Sequence, residues 1–230
     1  MSVTTAIEWT DATWNPWYGC HKVSPGCRGC YMYRDMAKYG RDPLAVTRSK
    51  TKFRDPLKWK EPRRVFTCSW SDFFHEQADE WRPEAWDIIR DTPHLTYQIL
   101  TKRPENIAAR IPADWGDGYP NVWLGVSAES QFYYDERVPT LMETPAALRF
   151  VSLEPLLGPI DLYGIPLGWV IVGGESGPRY RPLDVSWIDS IAQGCSEWRV
   201  PLFVKQDSGP LPGRQGRIPD ALWARKEWPA

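Results

Sequence analysis

A chain of 230 residues, 42% of them hydrophobic, can fill the core of one large domain, and a single domain over 1–230 is the simplest expectation. Lysine and arginine (28) balance aspartate and glutamate (29), so the net charge of −1 announces neither a basic nucleic-acid binder nor an acidic tail. No stretch approaches the ~18 apolar residues that span a bilayer, and MSVTTAIEWTD has no basic start, apolar run or cleavage site, so a soluble, cytoplasmic protein with no membrane partner is expected.

In chain order, the first distinctive stretch is WNPWYGCHKVSPGCRGCYMY, Trp14 to Tyr33, which holds Cys20, Cys27 and Cys30. Helical spacing follows from Tyr31 to Tyr39. From Arg34 to Arg64 eleven basic residues face four acidic ones. That segment is either a solvated connection or a phosphate-contacting surface hidden by the neutral average.

Beyond it, short apolar runs recur between turn residues: RVFTCSW from Arg64, LTYQILT from Leu95, NVWLGVS from Asn121, LRFVSLE from Leu148, GWVIVGG from Gly168 and PLFVKQ from Pro201. They are too short for core helices and rich in Val, Phe, Trp and Tyr, as buried parallel strands are. Helical segments alternate with them: RPEAWDIIRD, RPENIAARI, ESQFYYDERVPTLMET and DVSWIDSIAQGC, the last ending on Gly194. The alternation predicts an α/β fold, a partial (open) parallel β/α barrel of about six or seven strands, with a doubly wound sheet as the alternative.

Each predicted strand runs into polar groups. Ser69, Ser71, Asp72 and His75 follow the first; Thr101, Lys102 and Arg103 the second; Ser127 and Glu129 the third; Glu154 the fourth; Glu175 and Ser176 the fifth; Lys205, Gln206 and Asp207 the sixth. In a parallel barrel those ends share one face, so groups distant in sequence converge there, together with the cysteine loop.

Five cysteines without a secretory signal argue against a disulfide framework and for metal or catalytic use. A structural zinc needs a fourth ligand, which would be His21, His75 or a distant cysteine, and His21 adjoins Cys20 awkwardly. Three thiolates on one loop suit a 4Fe–4S cluster with one open iron better. Unligated thiols are the third possibility. GGESG might also serve as a phosphate loop, although no lysine completes that pattern.

The motifs together carry a resemblance. "GC", a second cysteine, two residues and "CY", opening a β/α chain, resemble the radical S-adenosylmethionine (radical SAM) enzymes, with six residues between the first two cysteines instead of the usual three. TWNPWYGCHKVSPGCRGCYM, SWSDFFH, ILTKRPEN, SLEPLLGPIDL, VIVGGESGPRYRPL and FVKQDSG look more closely like the small phage-associated radical-SAM-like family of unassigned role, which is similar to spore photoproduct lyase.

The resemblance implies a fold of the radical SAM type, a 4Fe–4S cluster on Cys20, Cys27 and Cys30, and reductive cleavage of S-adenosylmethionine to a 5′-deoxyadenosyl radical. It implies an external flavodoxin or ferredoxin-type reductant and DNA as substrate, most specifically repair of a pyrimidine lesion. RNA, a nucleotide or a peptide is the alternative substrate, and a zinc-stabilised nucleic-acid-binding module the non-catalytic alternative. Lys102 would meet the methionine carboxylate and Ser69, Ser71 and Asp72 the amino group. Ser127, Glu129 and Glu154 would meet the sulfonium or ribose, and Tyr31 would flank the cluster. Arg103, Glu175, Arg179, Lys205 and Gln206 would face an anionic substrate, with Arg181 on the same rim. Cys68 or Tyr97 would return a hydrogen atom to the product radical, unless Cys68 is a buried structural thiol. Cys195 is expected in the core.

Overall fold

The computed structural model describes residues 5–164 and 166–230; residues 1–4, the start of the stretch read above for a leader, lie outside them. Seven strands form one wholly parallel open sheet in the spatial order β1 (Ala12–Trp14), β4 (Arg63–Thr67), β5 (Leu95–Thr101), β6 (Val122–Ser127), β7 (Leu148–Leu153), β8 (Trp169–Gly173) and β9 (Leu202–Gln206). The fold is thus an α/β partial barrel with β1 and β9 as its edge strands, and the C-terminal segment covers β9, where the Val204 amide donates to the Arg225 carbonyl and the Glu227 amide to the Leu202 carbonyl. A two-stranded antiparallel ribbon, β2 (Trp17–Tyr18) with β3 (Thr47–Arg48), flanks it.

The helices are α1 (Tyr31–Lys38), α2 (Arg82–Asp91), α3 (Gln131–Met142), α4 (Val185–Glu197) and α5 (Asp220–Trp223). Pro83 in the first turn of α2 and the Asp184 carboxylate, which accepts the Ser186 amide at 2.9 Å, give two of them defined starts. α4 runs through Gly194 to Glu197, so the expected stop at that glycine does not occur. The helix expected over RPENIAARI is also absent: only a 3₁₀ turn, Pro104–Asn106, forms. Arg103 is drawn inward and Pro112 closes the segment, which is too short to sustain a helix without packing support.

Period-two alternation along the strands separates two cores. Val170 and Val172 join the larger core beneath the helices, with Ile88 and Ile89 of α2, Val138 of α3 and Ile188 of α4. Trp169 and Ile171 point the other way, into the concave interior, with Trp9, Phe150 and Phe203. Trp169 meets the Phe150 ring at 5.7 Å and the Trp9 ring at 6.0 Å. These aromatics plug the bottom of the half-barrel and leave its top open.

Candidate functional site

A cavity of about 530 Å³ occupies the top of the concave face. Residues alternating with the helix-facing ones reach it from four strand ends: Lys102 after β5, Ser127 of β6, Ser152 and Glu154 of β7 and its continuation, and Lys205 of β9. Ser127 and Ser152 are register partners on adjacent strands. The Lys205 ammonium donates to the Glu154 carboxylate at 2.6 Å.

All three motif cysteines line the same cavity. Cys27 ends a 3₁₀ turn, Pro25–Cys27, and Cys30 caps the start of α1. Burial pushes the Cys20 thiol up to about 12, helped by the negative charge of Asp72, while Arg103 acts in the opposite sense. Burial likewise raises Cys30, against the nearby charge of Lys102. All three motif cysteines are half-buried and none is in a disulfide. Among the described residues, no three His, Cys, Asp or Glu side chains are grouped to hold one metal ion. Three cysteines from one loop that line one cavity are the donor set that would hold a cluster, each thiolate on a separate iron.

His21 is occupied otherwise. The Gln77 amide donates to His75 Nδ1 at 3.1 Å, so neutral His75 carries its proton on Nε2 and donates it to His21 Nδ1 at 2.8 Å.

Cys68 lies at the cavity wall in the left-handed region, φ 62°, a conformation that costs a non-glycine residue about 1–2 kcal/mol. Burial raises its thiol well above the ordinary range, so it stays protonated. Ser69, Ser71, Asp72 and Tyr31 also line the cavity, yet their polar atoms are engaged. The Tyr31 hydroxyl donates to the Ser69 carbonyl at 2.7 Å, and Ser71 to the Gly19 carbonyl at 2.6 Å. Ser69 shares hydrogen bonds with Asn15. Asp72 accepts from Thr101 and from the amides of Phe74 and Lys102.

Four expected contacts are absent from the cavity wall. Tyr97 belongs to the helix-facing side of β5, where its hydroxyl meets Thr92 Oγ1 at 2.6 Å and its ring packs on Trp14. Five positions from Lys102, an odd offset, it must face away. Gln206 alternates with Lys205 for the same reason, and it bonds the Gly174 carbonyl and the Gly213 amide. Arg179 is exposed outside the cavity. Glu129 is buried, accepting the Gly26 amide at 2.9 Å and Arg137 at 3.0 Å.

Glu175 and Arg103 do line the cavity, but both are committed to the cysteine loop. Glu175 takes three hydrogen bonds from Arg181, and Arg103 donates to the His21 carbonyl at 2.8 Å and to the Cys20 sulfur at 3.6 Å. Burial works to raise Glu175, and the Arg181 bonds outweigh it, holding the carboxyl below its usual range. Ser152 was invisible to a motif search, although it shares parity with Glu154 two residues on.

The basic segment is partly neutralised. Arg48 and Arg54 both pair with Glu84, Lys52 and Lys58 with Asp55, and Arg64 with Asp11. Near the mouth, exposed Tyr39 stacks on the cavity residue Trp70 at 6.3 Å, and Arg41 lies over Tyr18 at 5.5 Å. Among the described residues no helix is long and apolar enough to cross a membrane.

No curated protein matches the chain. A solved structure, a cysteine-to-serine mutant of spore photoproduct lyase, is 14% identical with a TM-score of 0.47, too low to transfer an activity. The match covers 83% of this chain and 62% of that one. Residues 4–216 match the model of the family described as "Protein of unknown function (DUF5131)", and the chain belongs to that family.

Proposed function

We propose that the protein is a radical SAM-type enzyme acting on a nucleobase in DNA, with Cys20, Cys27 and Cys30 holding a 4Fe–4S cluster. The observation that carries this reading is the convergence of three cysteines from one loop with Lys102, Ser127, Ser152, Glu154 and Lys205 on one cavity of an open parallel barrel. When bound, the cluster and S-adenosylmethionine supply one-electron reductive cleavage of the sulfonium and the hydrogen abstraction that follows.

The chain's own groups then bind, orient and shield. The Lys102 ammonium offers a point charge for the methionine carboxylate. The two serine hydroxyls and the Glu154–Lys205 pair present acceptors and donors to ribose or substrate. The aromatic plug closes the lower end of the interior to water. Cys68 holds a protonated thiol at the wall, where it can pass a hydrogen atom to a product radical and be left as a thiyl. The Tyr39–Trp70 stack and Arg41 favour a flat, anionic-backboned substrate over a peptide.

The test is release of 5′-deoxyadenosine by anaerobically reconstituted, reduced protein, beside a Cys20, Cys27, Cys30 triple-alanine variant. Release by the wild type alone, with turnover of irradiated DNA, supports the reading. Stoichiometric zinc with no cluster and no deoxyadenosine sinks it.

A further inference from the structure

Residues 20–30 carry the three cysteines into the cavity with almost nothing apolar to anchor them: Gly26 is the one buried residue of that stretch. A loop so poor in hydrophobic contacts needs polar restraints to hold one conformation. Three buried carboxylates with arginine partners supply them, one beside each cysteine.

At Cys20 the pair is Asp72 with Arg103, 3.4 Å apart, and Arg103 reaches the cysteine sulfur itself. Next to Cys27, Glu129 pairs with Arg137 and accepts the Gly26 amide. Against Gly29, the residue before Cys30, Glu175 pairs with Arg181 at 2.5 Å, and Arg181 also donates to the Pro25 carbonyl at 3.1 Å. The last two stations explain the glycines that precede these cysteines. A Cβ on Gly26 would stand 2.9 Å from the Glu129 carboxyl carbon, and one on Gly29 only 2.4 Å from Glu175 Oε1.

Buried ion pairs contribute little net stability against an apolar replacement, and their best-attested use is to fix one geometry. We propose that these three carboxylate–arginine pairs are positioning residues that set the cysteine loop, one pair per cysteine, so that Glu129 and Glu175 serve the cluster ligands and not S-adenosylmethionine or substrate. What the loop holds rests on the function proposed above; that the pairs hold the loop does not.

The test therefore has two readouts. In the iron-free protein, the rates at which Cys27 and Cys30 are alkylated are followed by mass spectrometry; in the reconstituted protein, iron and sulfide content and the paramagnetic signal of the reduced cluster are measured. Glu129→Gln, Glu175→Gln, the milder Arg181→Lys and Gly29→Ala are compared with Asp207→Asn, which breaks a carboxylate–arginine pair away from the loop. The expected result is alkylation about tenfold faster in the loop variants, with iron content at least halved and the signal broadened, and neither change in Asp207→Asn. If the wild type takes up no iron but the loop variants still alkylate faster, the positioning role stands and the cluster reading falls. Wild-type rates and iron content in all the loop variants would overturn the proposal, as would equal losses in Asp207→Asn.

Discussion

Asp72 ties together the ends of two neighbouring strands: its Oδ1 accepts the Thr101 hydroxyl at 2.7 Å, while its Oδ2 accepts the Lys102 amide at 3.1 Å. Asp72 and Thr101 are buried, and so is Arg103, the other partner of that carboxylate. Asp72→Ala leaves a hydroxyl, an amide and a guanidinium without their acceptor. Removing one partner of such a buried group costs about 3–5 kcal/mol. Urea unfolding should show an unfolding free energy lower by that amount, and an unchanged value would mean that solvent replaces the carboxylate.

Trp169 is the centre of the interior plug, touching Trp9, Phe150 and Phe203. Its indole N–H donates to the Glu227 carbonyl at 2.8 Å, so the ring also fastens the C-terminal segment to the barrel. Trp169→Ala should destabilise by about 3–5 kcal/mol. A smaller loss in calorimetry would show that neighbouring rings collapse into the space.

The strands were legible because buried parallel strands are continuous apolar runs, and six of the seven in the sheet were marked that way. Ala12–Trp14 escaped because three residues give no run to recognise. The site was legible as a set of strand ends, but not in its directions. Applying period two to the strand ends would have rejected Tyr97 once Lys102 was taken inward, and would have added Ser152 beside Glu154. Glu129 and Glu175 lie past the ends of their strands, where alternation no longer holds, and only the fold brings them against glycines a hundred or more residues away.

The Asp207–Arg217 pair predicts an acid dependence. Burial works to raise the Asp207 carboxyl, but hydrogen bonds from the Arg217 side chain and from the amides of Arg217 and Ser208 hold it below its usual range. A carboxyl lowered in the folded state contributes stability above its unfolded pKa of about 3.9 and loses it as pH falls through the folded value. The stability gap between wild type and Asp207→Asn should be full at pH 6 and close below pH 4. A gap independent of pH would assign the loss to packing.

On the function proposed above, a Cys68 variant would separate hydrogen return from radical generation. Its side chain is small and at the cavity wall, and its backbone conformation is set by the Trp14 carbonyl, which accepts its amide at 2.8 Å. Cys68→Ala should leave deoxyadenosine release within about twofold of wild type while product formation falls by about tenfold or more, since only the later step needs the thiol. Parallel losses in both would place Cys68 in the structure of the site instead.

Lys102 is the cavity cation whose role is most sharply testable. Its amide is fixed by Asp72, and its ammonium lies near enough to Cys30 for its charge to oppose the rise that burial imposes on that thiol. Lys205, the other lysine of the wall, is already paired with Glu154. A carboxylate entering beside the cysteines would therefore find its countercharge at Lys102. Lys102→Gln keeps most of the side chain's length and removes the charge. A charge-assisted hydrogen bond is worth about 1.5–3 kcal/mol, which is roughly ten- to a hundredfold in affinity. Equilibrium dialysis of the reconstituted protein with S-adenosylmethionine should show that loss while iron content stays at the wild-type level. Unchanged affinity would give the carboxylate to another group, and loss of iron would make Lys102 part of the support of the cysteine loop.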